Sequence, residues 1–190
     1  MSDWHAYHQT SAQLPPRELL LKALEVANGP ARATDIGCGS GRDTLHLVAE
    51  GWEVEALDSS AEALALLAAK TPPAARGRLT LTQATMEDAT LRPARLVYAA
   101  MSLPFCAPSE APALWSRIAA AVEPGGVFAG HFFGPRDAWA ANGLWTLSRL
   151  DLDTMLSGWS VLHLTEFEGM RTTATGHEKW SHIFEVVARR

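Results

Sequence analysis

Apolar positions along the chain switch between two spacings. Between Pro15 and Ala27, the residues Leu19, Leu20, Leu24 and Ala27 form one face, which predicts a helix opened by Pro15 and Pro16 and stopped by "NGP" at 28–30. A short apolar run from about Arg32 to Ile36 predicts a strand. In "DTLHLVAEG", Leu45, Val48 and Ala49 point inward and Gly51 terminates a second helix. "WEVEALD" alternates as a strand does and ends on Asp58. Ser59 and Glu62 then stand in capping-box spacing at the head of the helical pattern "SSAEALALLAAK". Strands follow in "RLTLTQ" and "RLVYAAM", and a helix in "SEAPALWSRIAAAV" is ended by "EPGG" at 123–126. Beyond it come a buried strand in "VFAGHFF", a short helix in "DLDTMLSG", and two closing strands in "WSVLHLTEF" and "KWSHIFEVVAR".

Strands that alternate with helices imply parallel neighbours, because parallel pairing needs a crossover connection. The expected fold is therefore α/β: a doubly wound, mostly parallel seven-stranded sheet with helices on both faces. Two strands in succession at the C-terminus permit one antiparallel member. No repeat or linker divides the chain, and 190 residues with 47% apolar content suit one core, so a single domain over 1–190 is expected.

The formal charge of −5 comes without a long basic run, which disfavours nucleic acid and an electrostatic membrane anchor as partners. The N-terminus lacks a basic region followed by a cleavage site, and Lys22 interrupts its apolar run. No apolar segment approaches the roughly 20 residues that cross a bilayer. A soluble, cytoplasmic protein is expected. Cys38 and Cys106 have no CxxC spacing and read as reduced thiols, with no metal site in prospect.

Chemistry concentrates in "ATDIGCGSGRD" at 33–43, where three glycines follow a strand and precede a helix. Glycines there let the main chain turn with positive φ and let a ligand approach without Cβ atoms in the way. A dinucleotide fingerprint would start at Gly37 and Gly39, but Arg42 occupies its third small-residue place. No GxxxxGK[ST] phosphate loop is present either. What stands instead is D-x-G-x-G-x-G from Asp35 to Gly41, with a second acid, Asp58, at the end of the next strand.

This pattern resembles the class I S-adenosylmethionine-dependent methyltransferases over nearly the whole chain, with their Rossmann-like sheet. The run "DIGCGSGRDTLHLVAEGWEVEALD", the "PGG" before the fifth strand and the closing "H.F.VVAR" are similar to the small tellurite-resistance-type branch. The resemblance implies S-adenosylmethionine as cofactor and a small-molecule methyl acceptor. That cofactor carries an ammonium, a carboxylate and a ribose diol but no phosphate, so acids suit its pocket. Asp35 then favours the ammonium and Asp58 accepts from the ribose hydroxyls, with Gly37, Cys38, Gly39, Gly41 and Ser59 around them. Thr85 and Met86 fall where the family places its adenine contacts, with Glu87 or Asp88 as alternatives if the loop shifts. Ala100 and Met101 fall beside the methyl-donor end. In the first 30 residues, Trp4, Tyr7 and Arg17 suit a lid, and Arg17 either pairs with the methionine carboxylate or is a surface arginine.

The acceptor side is expected in the insertion "GHFFGPRDAWAANGLWTLSRLD" at 130–151. Methyl transfer from a sulfonium is an in-line displacement that alignment alone can accelerate, so a base is needed only for a protonated acceptor. His131 is the candidate for that role, as base or as orienting group. Trp139 and Trp145 either line an apolar pocket or pack the insertion on the sheet, and His182 reads as a buried strand residue. The other reading is a non-catalytic module that binds S-adenosylmethionine or S-adenosylhomocysteine as a sensor; the polar and aromatic insertion favours an enzyme.

Overall fold

A computed structural model describes residues 14–173 and 176–190. Among these residues, five α-helices and seven strands run in the order α1 (Glu18–Val26), β1 (Arg32–Ile36), α2 (Arg42–Ala49), β2 (Glu53–Asp58), α3 (Ala61–Lys70), β3 (Leu79–Gln83), β4 (Ala94–Ala99), α4 (Ala111–Ala121), β5 (Val122–Phe133), α5 (Arg149–Met155), β6 (Ser160–Thr172) and β7 (Glu178–Arg189). The seven strands form one sheet in the order β3-β2-β1-β4-β5-β7-β6. Pairing is parallel from β3 to β5, whereas β7 runs antiparallel to both β5 and β6. The strand order reverses between β1 and β4, which opens a crevice beyond their carboxyl ends.

Alternation along the strands divides the core between two faces. Leu19, Leu20 and Ala23 of α1, Leu47 and Val48 of α2, and Leu64 and Leu67 of α3 pack against Ala33, Val54, Tyr98 and Val127. On the opposite face Leu114 and Ile118 of α4 and Leu152 of α5 pack against Ile36, Val97, Phe128 and Phe184. No helix among the described residues is long and apolar enough to cross a membrane.

Two local expectations are corrected. The cap of α3 is Ser60 rather than Ser59: its hydroxyl accepts from Ala63 N at 3.1 Å, because Asp58 holds the Ser60 amide at 2.8 Å and shifts the helix start by one residue. The residues of "EPGG" end α4 but also belong to β5. Gly125 turns the chain at φ 75 while its amide donates to Arg190 O and Arg190 N donates to Gly126 O, each at 3.0 Å, so strand pairing with the C-terminus begins early. The expected insertion at 130–151 narrows for the same kind of reason. Residues 130–133 complete β5 and residues 149–151 open α5, leaving 134–148 irregular.

Candidate active site

The chain leaves β1 at Ile36 and turns over the end of β2. Gly37 N and Cys38 N both donate to Leu57 O, at 2.7 and 3.0 Å. Gly37 sits at φ +71, and a Cβ there would lie 2.4 Å from Ser102 Cβ, so glycine is required where the loop meets the segment after β4. Ser102 fixes that approach by donating from Oγ to Ile36 O at 2.6 Å. Gly39 has φ 55, and its amide donates to Asp58 Oδ2 at 2.8 Å. Gly41 is the N-cap of α2. The loop is thereby tied to the carboxyl end of β2 through Asp58, whose other oxygen accepts from Ser60 N. Each carboxylate oxygen keeps a further lone pair for a ligand donor.

Asp35 is buried on the face covered by α1 and α2, and accepts from Thr44 Oγ1 at 2.6 Å. Burial, and next the neighbouring Asp43 carboxylate, push its pKa up to about 7 despite the Thr44 hydroxyl and the Arg17 charge. Asp43, in the first turn of α2, is also buried. It accepts from Arg17 N at 2.8 Å and from Tyr98 Oη at 3.1 Å, and forms an ion pair with the Arg17 guanidinium.

These groups border a cleft of about 460 Å³ at the sheet's reversal point. Its lining includes Arg17, Asp35, Gly37, Cys38, Gly39, Asp58, Ser59, Thr85, Met86, Ala100 and Met101, so the structure brings these expected residues together. Thr85 Oγ1 donates to Asp88 at 2.9 Å and accepts from the Asp88 amide at 3.2 Å, which fixes the loop after β3. Of the two alternatives there, Glu87 lines the cleft and Asp88 does not. Met101 adopts φ 60, a left-handed conformation uncommon outside glycine and costly for a long side chain, at the point where β4 gives way to the cleft. Tyr7 and Trp4 lie outside the described residues.

Three acids, Asp35, Asp43 and Asp58, face this cleft beside the bare amide segment. That chemistry suits a ligand with an ammonium and a diol and opposes a pyrophosphate, so the residues present fit S-adenosylmethionine.

His131 does not line this cleft. It lies in β5 opposite Glu185 of β7, buried, with Nε2 3.4 Å from Glu185 Oε2. Glu185 also accepts from Lys22 Nζ at 2.9 Å and lies 3.0 Å from His163 Nε2. Its pKa is held down to about 2, first by the hydrogen bond from His131 and then by Lys22 against the cost of burial. Burial pulls the His131 pKa below its ordinary value, so the imidazole is neutral near pH 7, and its Nδ1 has no hydrogen-bond partner among the described residues. Alternation puts Asp35, Tyr98, His131 and Glu185, from β1, β4, β5 and β7, on one sheet face under α1. A polar row therefore runs from the cleft across the carboxyl side of the sheet.

The two insertion tryptophans part company. Trp139 meets Phe105, which lines the cleft, at 6.1 Å and Phe133 at 6.2 Å. Trp145 packs edge-on against Phe132 at 5.7 Å on the other face of the sheet. Buried Asp137 pairs with Lys179, whose ammonium also lies 4.4 Å from the Trp139 ring centroid. His182 is the buried strand residue expected, with Nε2 2.8 Å from Glu166 Oε1. Sequence reasoning missed Asp43, Ser102 and Phe105 in the cleft. The only signal for Asp43 is an acid in the first turn of a helix, which dipole complementarity explains without a site.

Residues 33–126 match the family model described as a methyltransferase domain. A curated relative, trans-aconitate 2-methyltransferase of Streptomyces avermitilis, is 41% identical over 76 residues, covering 38% of this chain and 27% of that enzyme. The chain thus spans about a quarter of that relative's length. Among solved structures, TehB from Haemophilus influenzae superposes with a TM-score of 0.78 at 16% identity, over 92% of this chain and 62% of that one. A Burkholderia thailandensis 1,6-didemethyltoxoflavin-N1-methyltransferase, solved with its acceptor and S-adenosylhomocysteine, gives 0.70 at 19% identity over 92% and 77%. At these identities the structures share the fold with this chain.

Proposed function

We propose that this chain, a class I S-adenosylmethionine-dependent methyltransferase by fold and domain, transfers the cofactor's methyl group to a small-molecule acceptor. The observation that carries the reading is the Gly39 amide bound to Asp58 in a cleft lined by Asp35, Asp43, Asp58 and Glu87. Asp58 would hold the ribose diol, Asp35 the ammonium and Arg17 the carboxylate, with Thr85 and Met86 at the base and Ala100 and Met101 at the donor end. The cofactor, when bound, supplies an electrophilic methyl group on a sulfonium whose leaving thioether needs no protonation.

What the protein's own residues add is alignment and exclusion of water. Effective molarity for well-oriented partners is worth roughly 7–11 kcal/mol. Phe105, Phe133 and Trp139 supply an apolar wall next to the donor end. For a protonated acceptor that reaches beyond the cleft to β5, His131 is the residue we assign as base or orienting group: neutral, with Nε2 held by Glu185 and Nδ1 without a partner among the described residues. A cytoplasmic location belongs to the same reading, supported by two free, buried thiols.

The test is turnover. The purified chain is incubated with S-adenosylmethionine and a panel of carboxylic acids, oxyanions, thiols, phenols and amines, and S-adenosylhomocysteine is quantified. At least one acceptor should raise its formation well above the rate without acceptor. Cofactor binding without turnover across the panel would favour a sensor.

A further inference from the structure

Asp43 is given no ligand contact of its own in the reading above, yet its carboxylate is closely held. It is 3% exposed and accepts from Tyr98 and from two groups of a single residue, the amide and the guanidinium of Arg17. A buried carboxylate demands such donors, but the choice of partners is informative. Gripping both the main chain and the head group of Arg17 fixes that residue at two points. Arg17 stands just before α1 in extended conformation, φ −70 and ψ 146, and α1 has no side-chain cap of its own. The start of α1 is therefore anchored from α2, across the mouth of the glycine-loop cleft.

The same cleft is lined by Asp35, Asp43 and Asp58. Those acids suit an ammonium and a diol but repel a ligand carboxylate. Arg17 borders the cleft beside Asp35. Resting on the cofactor reading given above, we propose that Asp43 is a positioning residue for the amino-acid end of the cofactor. It holds the Arg17 guanidinium beside Asp35 at the acidic side of the cleft, while the other lining arginine, Arg42, donates from Nε to Pro15 O.

For a ligand that keeps the carboxylate but lacks the ammonium, Coulomb's law alone gives the opposite sign, which makes the proposal decidable. Removing the Asp43 charge lowers the negative potential in the cleft and should tighten such a ligand, whereas loss of positioning should weaken it. Titration calorimetry on the full chain would compare S-adenosylhomocysteine, its deaminated analogue, which keeps the carboxylate without the ammonium, and 5′-methylthioadenosine, which keeps the nucleoside and thioether but lacks the amino acid. D43N is expected to weaken S-adenosylhomocysteine and the deaminated analogue at least tenfold and 5′-methylthioadenosine by less than twofold. R17A should show the same selectivity, and the double variant should lose no more than the weaker-binding single variant, within twofold. If D43N unfolds, R17K carries the test: it keeps the charge without the planar fork, and should lose at least fivefold for the two carboxylate-bearing ligands alone. Unchanged or tighter binding of the deaminated analogue in folded D43N overturns the proposal, as does equal weakening of all three ligands. A wild-type chain that binds none of the three overturns the cofactor reading itself, and the proposal with it.

Discussion

The two ends of the polar row under α1 are built by different means. At the proposed cofactor end, main-chain amides of Gly37 and Cys38 meet Leu57 O, and Gly39 meets Asp58, all between Gly37 and Asp58. At the proposed acceptor end, side chains far apart in sequence pair with one another: Lys22 with Glu185 and, beside Trp139, Asp137 with Lys179. The first end is a rigid cradle fixed by backbone geometry and insensitive to most side chains other than its glycines and acids. The second is a set of charge pairs carried by side chains, the kind of contact through which one fold hosts different sites.

Substitutions should separate these ends. The largest effect is expected from G39V at the cofactor end, since a branched residue at φ 55 distorts the loop and obstructs the amide segment. S-adenosylhomocysteine binding should fall below detection by calorimetry while the circular dichroism spectrum is retained. At the acceptor end K179M leaves the fully buried Asp137 carboxylate without its cation, and should lower unfolding stability by about 3–5 kcal/mol in urea titration. The contrast would blur if K179M abolished cofactor binding in the folded state.

A smaller effect is expected from D58A, which removes charged acceptors for the ribose and the anchor of Gly39. Affinity for S-adenosylhomocysteine should drop by about 1.5–3 kcal/mol, read by calorimetry. A change near zero would take Asp58 out of the site.

The smallest effect is a pH dependence. Burial raises the Asp35 pKa to about 7 in the folded chain, against an ordinary value of 3.8. Its contribution to unliganded stability is fully present below about pH 4 and is lost as pH rises through about 7. A ligand ammonium favours the ionised form, so binding should release a proton below pH 7. Affinity should rise between pH 6 and 7.5 by at most about tenfold per pH unit, and D35N should flatten the profile. The dependence of the binding heat on buffer ionisation enthalpy measures the released proton directly.

The same division explains what was legible in the sequence. The succession of strands and helices up to β5 and the loop from Asp35 to Gly41 follow from local pattern, because turn glycines and alternating apolar residues act on their neighbours. One residue of error at Ser59 arose because Asp58 takes the Ser60 amide, a contact that capping patterns do not encode. The pairing of Arg17 with Asp43 joins residues 26 apart, and that of Asp137 with Lys179 joins residues 42 apart. Nothing in spacing or propensity announces such pairs. His131 was visible as a histidine near the end of a strand, but its partner Glu185 depends on β7 lying antiparallel beside β5.

The central claim is that the glycine bend and its acids select a nucleoside without phosphates. It is tested most directly by calorimetric titration of the wild-type chain with S-adenosylhomocysteine and, separately, with NAD. The account predicts stoichiometric binding of the first and no heat from the second; a site that takes up NAD, or that ignores S-adenosylhomocysteine, contradicts it.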